Sequence, residues 1–225
     1  MNFIHEPIDL GYEDLVAETA NTGRVYNIPS GKKYPSITTV LSILSEDSIR
    51  AWRARVGDEE ANRISTRASR RGTSVHLICE KYINNDLDYR KGFTPDVIQS
   101  FNDIKPILDT RIGKVYGQEL PLYSDYLGVA GRVDCIAEFD RVPSIIDFKT
   151  SKRVKTADKI HSYFMQEAAY AIMWEERTKM PIVNLVTIIA VDDSEPLVFK
   201  EHRDNWVGSL TSTISEYKRR KFYGV

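Results

Sequence analysis

The chain has 225 residues, of which 42% are hydrophobic and 28% are charged, and its formal net charge is −1 at pH 7. These values predict one ordinary globular domain and exclude a uniformly basic protein that coats nucleic acid. No apolar run is long enough to span a membrane, and residues 1–10 lack the basic and apolar order of a signal peptide, so we expect a cytoplasmic protein.

The chain has two cysteines, and neither lies in a metal-binding pattern. Cys79 and Cys135 are both within apolar runs, which favours two buried thiols over a disulfide or a metal pair. Two thiols are also too few ligands for an all-cysteine iron–sulfur cluster.

The first part of the chain combines a short strand with helices. Residues 24–28 favour a strand, and residues 34–40 fit either a second strand or the start of a helix. We expect the helix, because Ser36 or Thr38 can cap it. Its apolar face would consist of Val40, Leu41 and Leu44. A short helix over residues 49–56 follows.

The longest helical pattern in the chain covers residues 58–83. Four arginines at positions i, i+4, i+7 and i+8 share one face of this helix: Arg63, Arg67, Arg70 and Arg71. They form either a solvated face, which the acidic residues before them would suit, or a surface that contacts phosphates. Beyond Gly72 the predicted buried face consists of Val75, Ile78, Cys79, Tyr82 and Ile83. His76 and Glu80 lie four residues apart along its edge, a spacing usually found in surface pairs.

The second half of the chain alternates strands and helices. Pro95 starts a predicted helix that runs to residue 112, and Pro106 should bend or interrupt it. The other predicted elements are strands over 114–123, 182–191 and 196–200, a pair of strands within 131–150, and helices over 156–180 and 204–222.

This order of elements predicts the fold class. A helix between runs of strands is typical of a crossover, so we predict an α/β fold with a central mixed β-sheet flanked by helices on both faces. A mainly helical N-terminal part (1–112), the sheet with its crossover helix (113–200) and a C-terminal helix (201–225) would form a single domain.

Three charged residues within the predicted strand pair need an explanation. Asp134 lies in the middle of the first strand, while Asp147 and Lys149 are two apart on the second and therefore point from the same face. Charged groups are costly to bury unless they are paired or bind a metal. The structural interpretation is an Asp147–Lys149 ion pair, with Asp134 as a cap near the turn.

The functional interpretation of these charges is a metal site. Two carboxylates on adjoining strands are hard oxygen ligands that suit Mg²⁺ or Mn²⁺, and Glu80 could add a third. A lysine on the same face could stabilise the charge that develops on a phosphate in the transition state. Together these groups would support metal-assisted hydrolysis of a phosphodiester.

A wider set of segments extends this pattern. The segments are Gly131-Arg-Val-Asp134, Asp147-Phe-Lys149, Gln166-Glu-Ala-Ala-Tyr170, and Gly72-Thr-Ser-Val-His76 with Glu80. Together they resemble the RecB-like branch of the PD-(D/E)XK nuclease superfamily over roughly residues 35–200. The Tyr34-Pro-Ser-Ile-Thr-Thr-Val-Leu segment and the Trp52 helix resemble the mitochondrial genome maintenance exonucleases and their phage relatives. The resemblance implies a restriction-endonuclease-like core and a bacterial or phage-infected cell as the setting.

The resemblance also implies a role for each matching residue. Asp134, Asp147, Glu80 and His76 would hold Mg²⁺, which Mn²⁺ could replace, and Lys149 would be the catalytic lysine. The nucleic-acid-binding residues would be Gln166, Tyr170, Arg63, Arg67, Arg70, Arg71, Thr150 and Lys152. Glu119, on the preceding strand, occupies a position where such nucleases often carry another acidic residue. The cysteines that hold an iron–sulfur cluster in some relatives are absent, so no cluster is expected.

The expected function is Mg²⁺-dependent hydrolysis of DNA, by an exonuclease that acts on single-stranded DNA or DNA ends in replication, recombination or repair. The sequence has no Gly-x-x-x-x-Gly-Lys-Ser/Thr loop for ATP. Either a helicase or another replication or recombination partner would supply any unwinding, or the substrate would already have single-stranded ends. An endonuclease of the same superfamily and a catalytically silent DNA-binding module are the alternatives.

Overall fold

A five-stranded mixed sheet forms the centre of the protein. The computed structural model describes residues 2–20 and 23–223, and the strand order in this sheet is β4-β5-β6-β7-β8. Its strands are β4 (Ile112–Ser124), β5 (Val129–Phe139), β6 (Val142–Ser151), β7 (Asn184–Val191) and β8 (Leu197–His202). Neighbouring strands are antiparallel except β6 and β7, which are parallel. A parallel pair needs a crossover connection, and the helix between β6 and β7 provides it.

Helices cover both faces of the central sheet. They are α1 (Ile37–Leu41), α2 (Glu46–Val56), α3 (Asp58–Ile83), α4 (Pro95–Arg111), α5 (His161–Thr178) and α6 (Asp204–Tyr223). On one face, α3 and α4 bury Ile78 and Phe101 against Phe148 of β6. On the other face, α1, α5 and α6 bury residues such as Trp174 against Ile145 of β6. The predicted α/β fold with a central mixed sheet flanked on both faces is therefore confirmed.

A second, three-stranded antiparallel sheet precedes α1. It consists of β1 (Ala17–Ala20), β2 (Gly23–Asn27) and β3 (Lys33–Pro35). The predicted strand and the predicted helix start are both confirmed, because the Ser36 hydroxyl accepts a hydrogen bond from the Thr39 amide at 3.0 Å and caps α1. The mainly helical description of residues 1–112 left this small sheet out. Leu44 was also wrongly placed on the apolar face, since α1 ends at Leu41 and Leu44 is exposed.

Most other predicted elements agree with the structure, and three details differ. The helix over 58–83, the strand pair and the two buried thiols are confirmed. Helix α4 continues through Pro106, which lies on the solvent side between the buried residues Ile104 and Leu108. Helix α5 starts at His161 rather than at residue 156, because Ile160 leaves the helical region (φ −128°) and packs into the core. Trp174 is in the core as predicted, whereas Trp206 is only half buried.

None of the helices in the described part of the chain has the length and apolarity that a membrane span requires.

Candidate active site

Three potential metal ligands from three elements meet where α3 packs beside β4 and β5. They are His76 of α3, Glu119 of β4 and Asp134 of β5, and their ligand atoms all lie within 4.8 Å of one another. Among residues 2–20 and 23–223, this is the one group of at least three His, Cys, Asp or Glu side chains with such a geometry. We refer to these three residues as the acidic cluster.

Strand pairing places Asp134 between Glu119 and Asp147. On one side of β5, the pairs Gln118↔Cys135 and Leu120↔Val133 flank Glu119 and Asp134, which face each other. On the other side, pairing with β6 ends at Cys135↔Ile146, so the next position of that register sets Asp134 beside Asp147. Beyond the last β5–β6 pair, the Phe148 amide donates a hydrogen bond to Asp134 Oδ2 at 2.8 Å.

The backbone at Glu119 is in a conformation that is unusual for its residue type. Glu119 has a φ of 48°, in the left-handed region, and its carbonyl accepts a hydrogen bond from the Arg132 guanidinium. Such a conformation costs about 1 kcal/mol or more for a residue other than glycine and persists only where its surroundings impose it. Here it interrupts the β4–β5 ladder and places the Glu119 side chain in the acidic cluster.

His76 is held by Asp134. The His76 Nδ1 and Asp134 Oδ2 atoms are 3.3 Å apart, so this side-chain contact connects α3 to β5. Burial opposes protonation of His76, but the charge of Asp134 and its hydrogen bond outweigh burial and raise the pKa of the imidazole. Burial likewise opposes ionisation of Asp134, but His76 and Lys149 outweigh it and lower the pKa of Asp134.

Glu119 carries a strongly shifted pKa. Burial first, and then the charges of Asp134 and Glu80, raise the pKa of Glu119 from 4.5 to about 7. Repulsion among converging carboxylates is the electrostatic condition under which a divalent cation binds favourably. Glu80 is close enough to affect Glu119 electrostatically but lies outside the acidic cluster, so its predicted role as a ligand stays a prediction.

A buried ion pair adjoins the acidic cluster on β6. Asp147 is 1% exposed, and its Oδ2 pairs with Lys149 Nζ. Its Oδ1 accepts a hydrogen bond of 2.9 Å from the Gln166 amide of α5. The lysine ammonium also lies 5.3 Å from the centre of the Tyr163 ring. Asp147 is therefore held from two sides, by its own strand and by the crossover helix.

The two members of this ion pair respond differently to burial. Burial raises the pKa of Asp147, and the attraction of Lys149 only partly opposes it. Burial also opposes the charged form of Lys149, but Asp147 and Asp134 together outweigh it and raise the pKa of the ammonium. Lys149 is consequently a fixed cation at neutral pH and is unsuited to accept a proton.

A second buried acid, which is not among the predicted site residues, lies beside this pair. Glu167 of α5 is fully buried, and its Oε1 accepts a hydrogen bond from Thr187, the residue of β7 that lies beside Asp147 in register. Its Oε2 has no hydrogen-bond partner among the described residues. Burial, reinforced by the charge of Asp147, raises the pKa of Glu167 well above its ordinary value. Glu167 directly follows Gln166 in an otherwise apolar run. Its position on the buried face of α5 is the one sequence signal that could have identified it.

The predicted nucleic-acid-binding residues fall into two environments. Gln166 and Tyr170 are interior: Gln166 bonds Asp147, and Tyr170 is 2% exposed. Gly131 makes this packing possible, since a Cβ at position 131 would lie 2.8 Å from the Tyr170 ring. No face of that ring is open for base stacking in this conformation, and a contact of Tyr170 with nucleic acid stays a prediction.

The four arginines on one face of α3 differ in whether they have partners within the protein. Arg63 pairs with Glu60 of its own helix, and Arg71 pairs with Asp192 and donates to Ser100 at 2.8 Å. Arg67 and Arg70 are exposed and form no ion pair or hydrogen bond with any residue in the described part of the chain. Two of the four arginines are thus available for an external anion without breaking an internal contact.

A groove of about 760 Å³ runs between α3, α4 and the end of β6. Its basic and hydroxyl-bearing lining includes Arg67, Arg71, Thr150 and Lys152. Its acidic lining consists of Asp96, Asp103, Asp192 and Asp193. The groove therefore combines predicted nucleic-acid-binding residues with a substantial number of carboxylates.

Comparisons with known proteins leave the family open. No protein-family model matches the chain, and neither does any curated protein. A crystal structure of a candidate exonuclease from Eubacterium rectale is 13% identical, with a TM-score of 0.45 and 69% of each chain covered. The protein SSO0001 is also 13% identical, with a TM-score of 0.30, and the similarity covers 63% of this chain and 74% of that one. Similarities this low identify neither the family nor the function of the chain.

Proposed function

We propose that the protein is a metal-dependent nuclease that hydrolyses phosphodiester bonds in DNA. The observation that carries this proposal is the acidic cluster with the buried Asp147–Lys149 pair beside it. A purely structural ion pair would explain Lys149 and Asp147. It would not explain why Glu119 adopts a left-handed backbone conformation next to two other ionisable side chains.

The residues present suit a divalent cation. Carboxylate oxygens are the preferred ligands of Mg²⁺ and Mn²⁺, whereas an imidazole nitrogen is a ligand more typical of other transition metals. His76, Glu119 and Asp134 would hold the ion, with Asp147 as the ligand candidate on the neighbouring strand. When bound, such an ion activates water and neutralises charge on phosphate oxygens.

The remaining residues have roles that follow from their contacts. Lys149 supplies a fixed positive charge that stabilises the additional negative charge of the transition state. Gln166 holds one Asp147 oxygen at 2.9 Å and so fixes the orientation of that carboxylate. Arg67 and Arg70 attract the phosphate backbone without regard to base sequence.

Within this proposal we favour an exonuclease on single-stranded DNA or DNA ends, in agreement with the sequence resemblance. Mg²⁺ would be the physiological ion. Replication, recombination and repair are the processes in which such an activity serves, with strand separation supplied by a partner helicase.

Cleavage assays on three DNA substrates test this proposal. The full chain would be incubated with labelled linear single-stranded DNA, linear duplex and closed circular single-stranded DNA, each with Mg²⁺ and with EDTA. We expect Mg²⁺-dependent loss of the linear single strand and no cleavage of the circle. Cleavage of the circle would identify an endonuclease, and no cleavage of any substrate with Mg²⁺ or Mn²⁺ would contradict the proposed function.

A further inference from the structure

Helix α3 carries a glycine where neither the backbone nor the packing requires one. Gly72 is within the continuous helix Asp58–Ile83 and has no positive φ. A Cβ at position 72 would meet only Thr150 Oγ1, at 3.9 Å, which is an ordinary van der Waals contact. Glycine in a helix interior destabilises it relative to alanine. The fold alone therefore favours alanine at this position.

The position of Gly72 lies between the groove and the acidic cluster. Ala68, Gly72 and His76 are spaced at i, i+4 and i+8, so they lie on one helical face. Ala68 lines the groove, while His76 contacts Asp134. Thr150, the nearest neighbour of Gly72, lines the same groove and lies three residues beyond Asp147. On this helical face, Gly72 is the residue between Ala68 and His76 at which a polymer that extends from the groove to the acidic cluster would cross α3.

We infer that Gly72 is a positioning residue for the substrate: one DNA strand crosses α3 at Gly72 and Thr150, and the missing side chain lets its backbone approach the helix. This inference rests on the proposed nuclease function and specifies the path of the substrate. Close approach of a ligand to the polypeptide backbone is a recognised reason for glycine. Arg67 and Lys152 are cationic side chains of the groove lining that would bind the phosphates leading to this crossing, whereas the aspartates of the same lining would repel them.

The chain offers a matched control for Gly72. Gly208 also lies inside a helix, α6, and a Cβ at position 208 would meet nothing within 4 Å. Alanine at either position should raise the helix propensity by a similar amount and raise Tm by about 2–4 °C. Only position 72 lies on the proposed path of the substrate.

The experiment compares the wild-type protein with Gly72→Ala, Gly72→Leu and Gly208→Ala. It measures Tm, cleavage of a labelled single-stranded oligonucleotide with Mg²⁺, and binding of that oligonucleotide by fluorescence anisotropy with Ca²⁺ in place of Mg²⁺. We expect Gly72→Ala to raise Tm while it lowers kcat/KM at least tenfold and weakens binding, with a larger loss in Gly72→Leu. Gly208→Ala should raise Tm and leave cleavage and binding unchanged.

The outcomes separate this inference from the proposed function. Cleavage and binding by Gly72→Ala at the wild-type level would overturn the inference and leave the nuclease function intact. A wild-type protein that binds the oligonucleotide but does not cleave it would contradict the nuclease function, and the binding data for the variants would then decide the inference alone. A wild-type protein that does neither would overturn both.

Discussion

Lys149 is a cation at neutral pH and acts through its charge. Its pKa is raised by two neighbouring carboxylates despite burial, so it stays protonated. The raised pKa has the opposite effect on Asp147, because it disfavours the charged form of a carboxyl group. Burial raises this pKa, and the ionised form of Asp147 depends on Lys149 and Gln166. The pair is thus sensitive to any change in the hydrogen bonds that fix Asp147.

Gln166 should be required for full activity, because it orients Asp147. Gln166→Leu removes the amide that donates to Asp147 Oδ1 and should lower the cleavage rate about tenfold, the loss expected when a residue that orients a metal ligand is removed. Gln166→Glu is isosteric but replaces the donor with an acceptor, so its loss should be larger. Single-turnover cleavage rates check both variants. Equal activity of Gln166→Glu and wild type would show that the hydrogen bond does not matter.

Glu167 should make the stability of the protein depend on pH. Its folded-state pKa is raised by burial, so the folded protein keeps this proton while the unfolded chain loses it above its ordinary pKa of 4.5. The folded state therefore loses stability relative to the unfolded state as pH rises above that value. Glu167→Gln cannot ionise and escapes this loss. Urea unfolding at pH 4 and pH 7 should show the wild type losing stability relative to the variant, and a pH-independent difference would contradict the raised pKa.

At the scale of elements, α3 serves both the core and the surface. Its C-terminal half is buried through residues such as Val75 and Ile78, while its N-terminal half buries only Ala61. Arg71 lies near the division and links α3 to α4 and to the end of β7 through Ser100 and Asp192. Arg67, one turn earlier, makes no such link within the described part of the chain.

This difference predicts separable effects of two arginine substitutions. Arg71→Met should lower the free energy of unfolding by about 1–2 kcal/mol, because it leaves Asp192 unpaired at a partly buried site. Arg67→Met should leave stability unchanged. It should instead weaken single-stranded DNA binding and reduce the slope of log K against log salt by about 0.7. Urea unfolding and binding titrations at several salt concentrations measure these quantities, and a reversed pattern would refute the assignment.

The elements also show what local sequence can predict. The bounds of α3 and the cap at Ser36 follow from periodicity and from one hydroxyl. Pro106 did not interrupt α4, because buried neighbours hold the helix on the core side and the proline lies on the solvent side. The start of α5 was also missed, since burial of Ile160 by tertiary packing outweighs the local helical pattern before it.

At the scale of the whole molecule, the candidate site depends on register and docking. Spacing alone predicts that Asp147 and Lys149 share a face. It does not predict that Glu119 faces Asp134 across a break in the β4–β5 ladder, because a left-handed φ at a glutamate has no local sequence signal. Nor does it predict that His76 pairs with Asp134, which requires α3 to dock beside β5. Spacing therefore predicts the residue types of the site, whereas only the resemblance placed His76 and Glu119 near Asp134.

The most direct test of the account is cleavage of a labelled single-stranded oligonucleotide with Mg²⁺ by Asp134→Asn and Lys149→Met. Glu195→Gln, at an exposed carboxylate that is not part of the acidic cluster, is the control, and Tm shows that each variant is folded. We expect both site variants to lose at least about a hundredfold in rate, because each removes a metal ligand or a transition-state charge. Folded site variants that cleave within twofold of the wild-type rate would contradict this expectation.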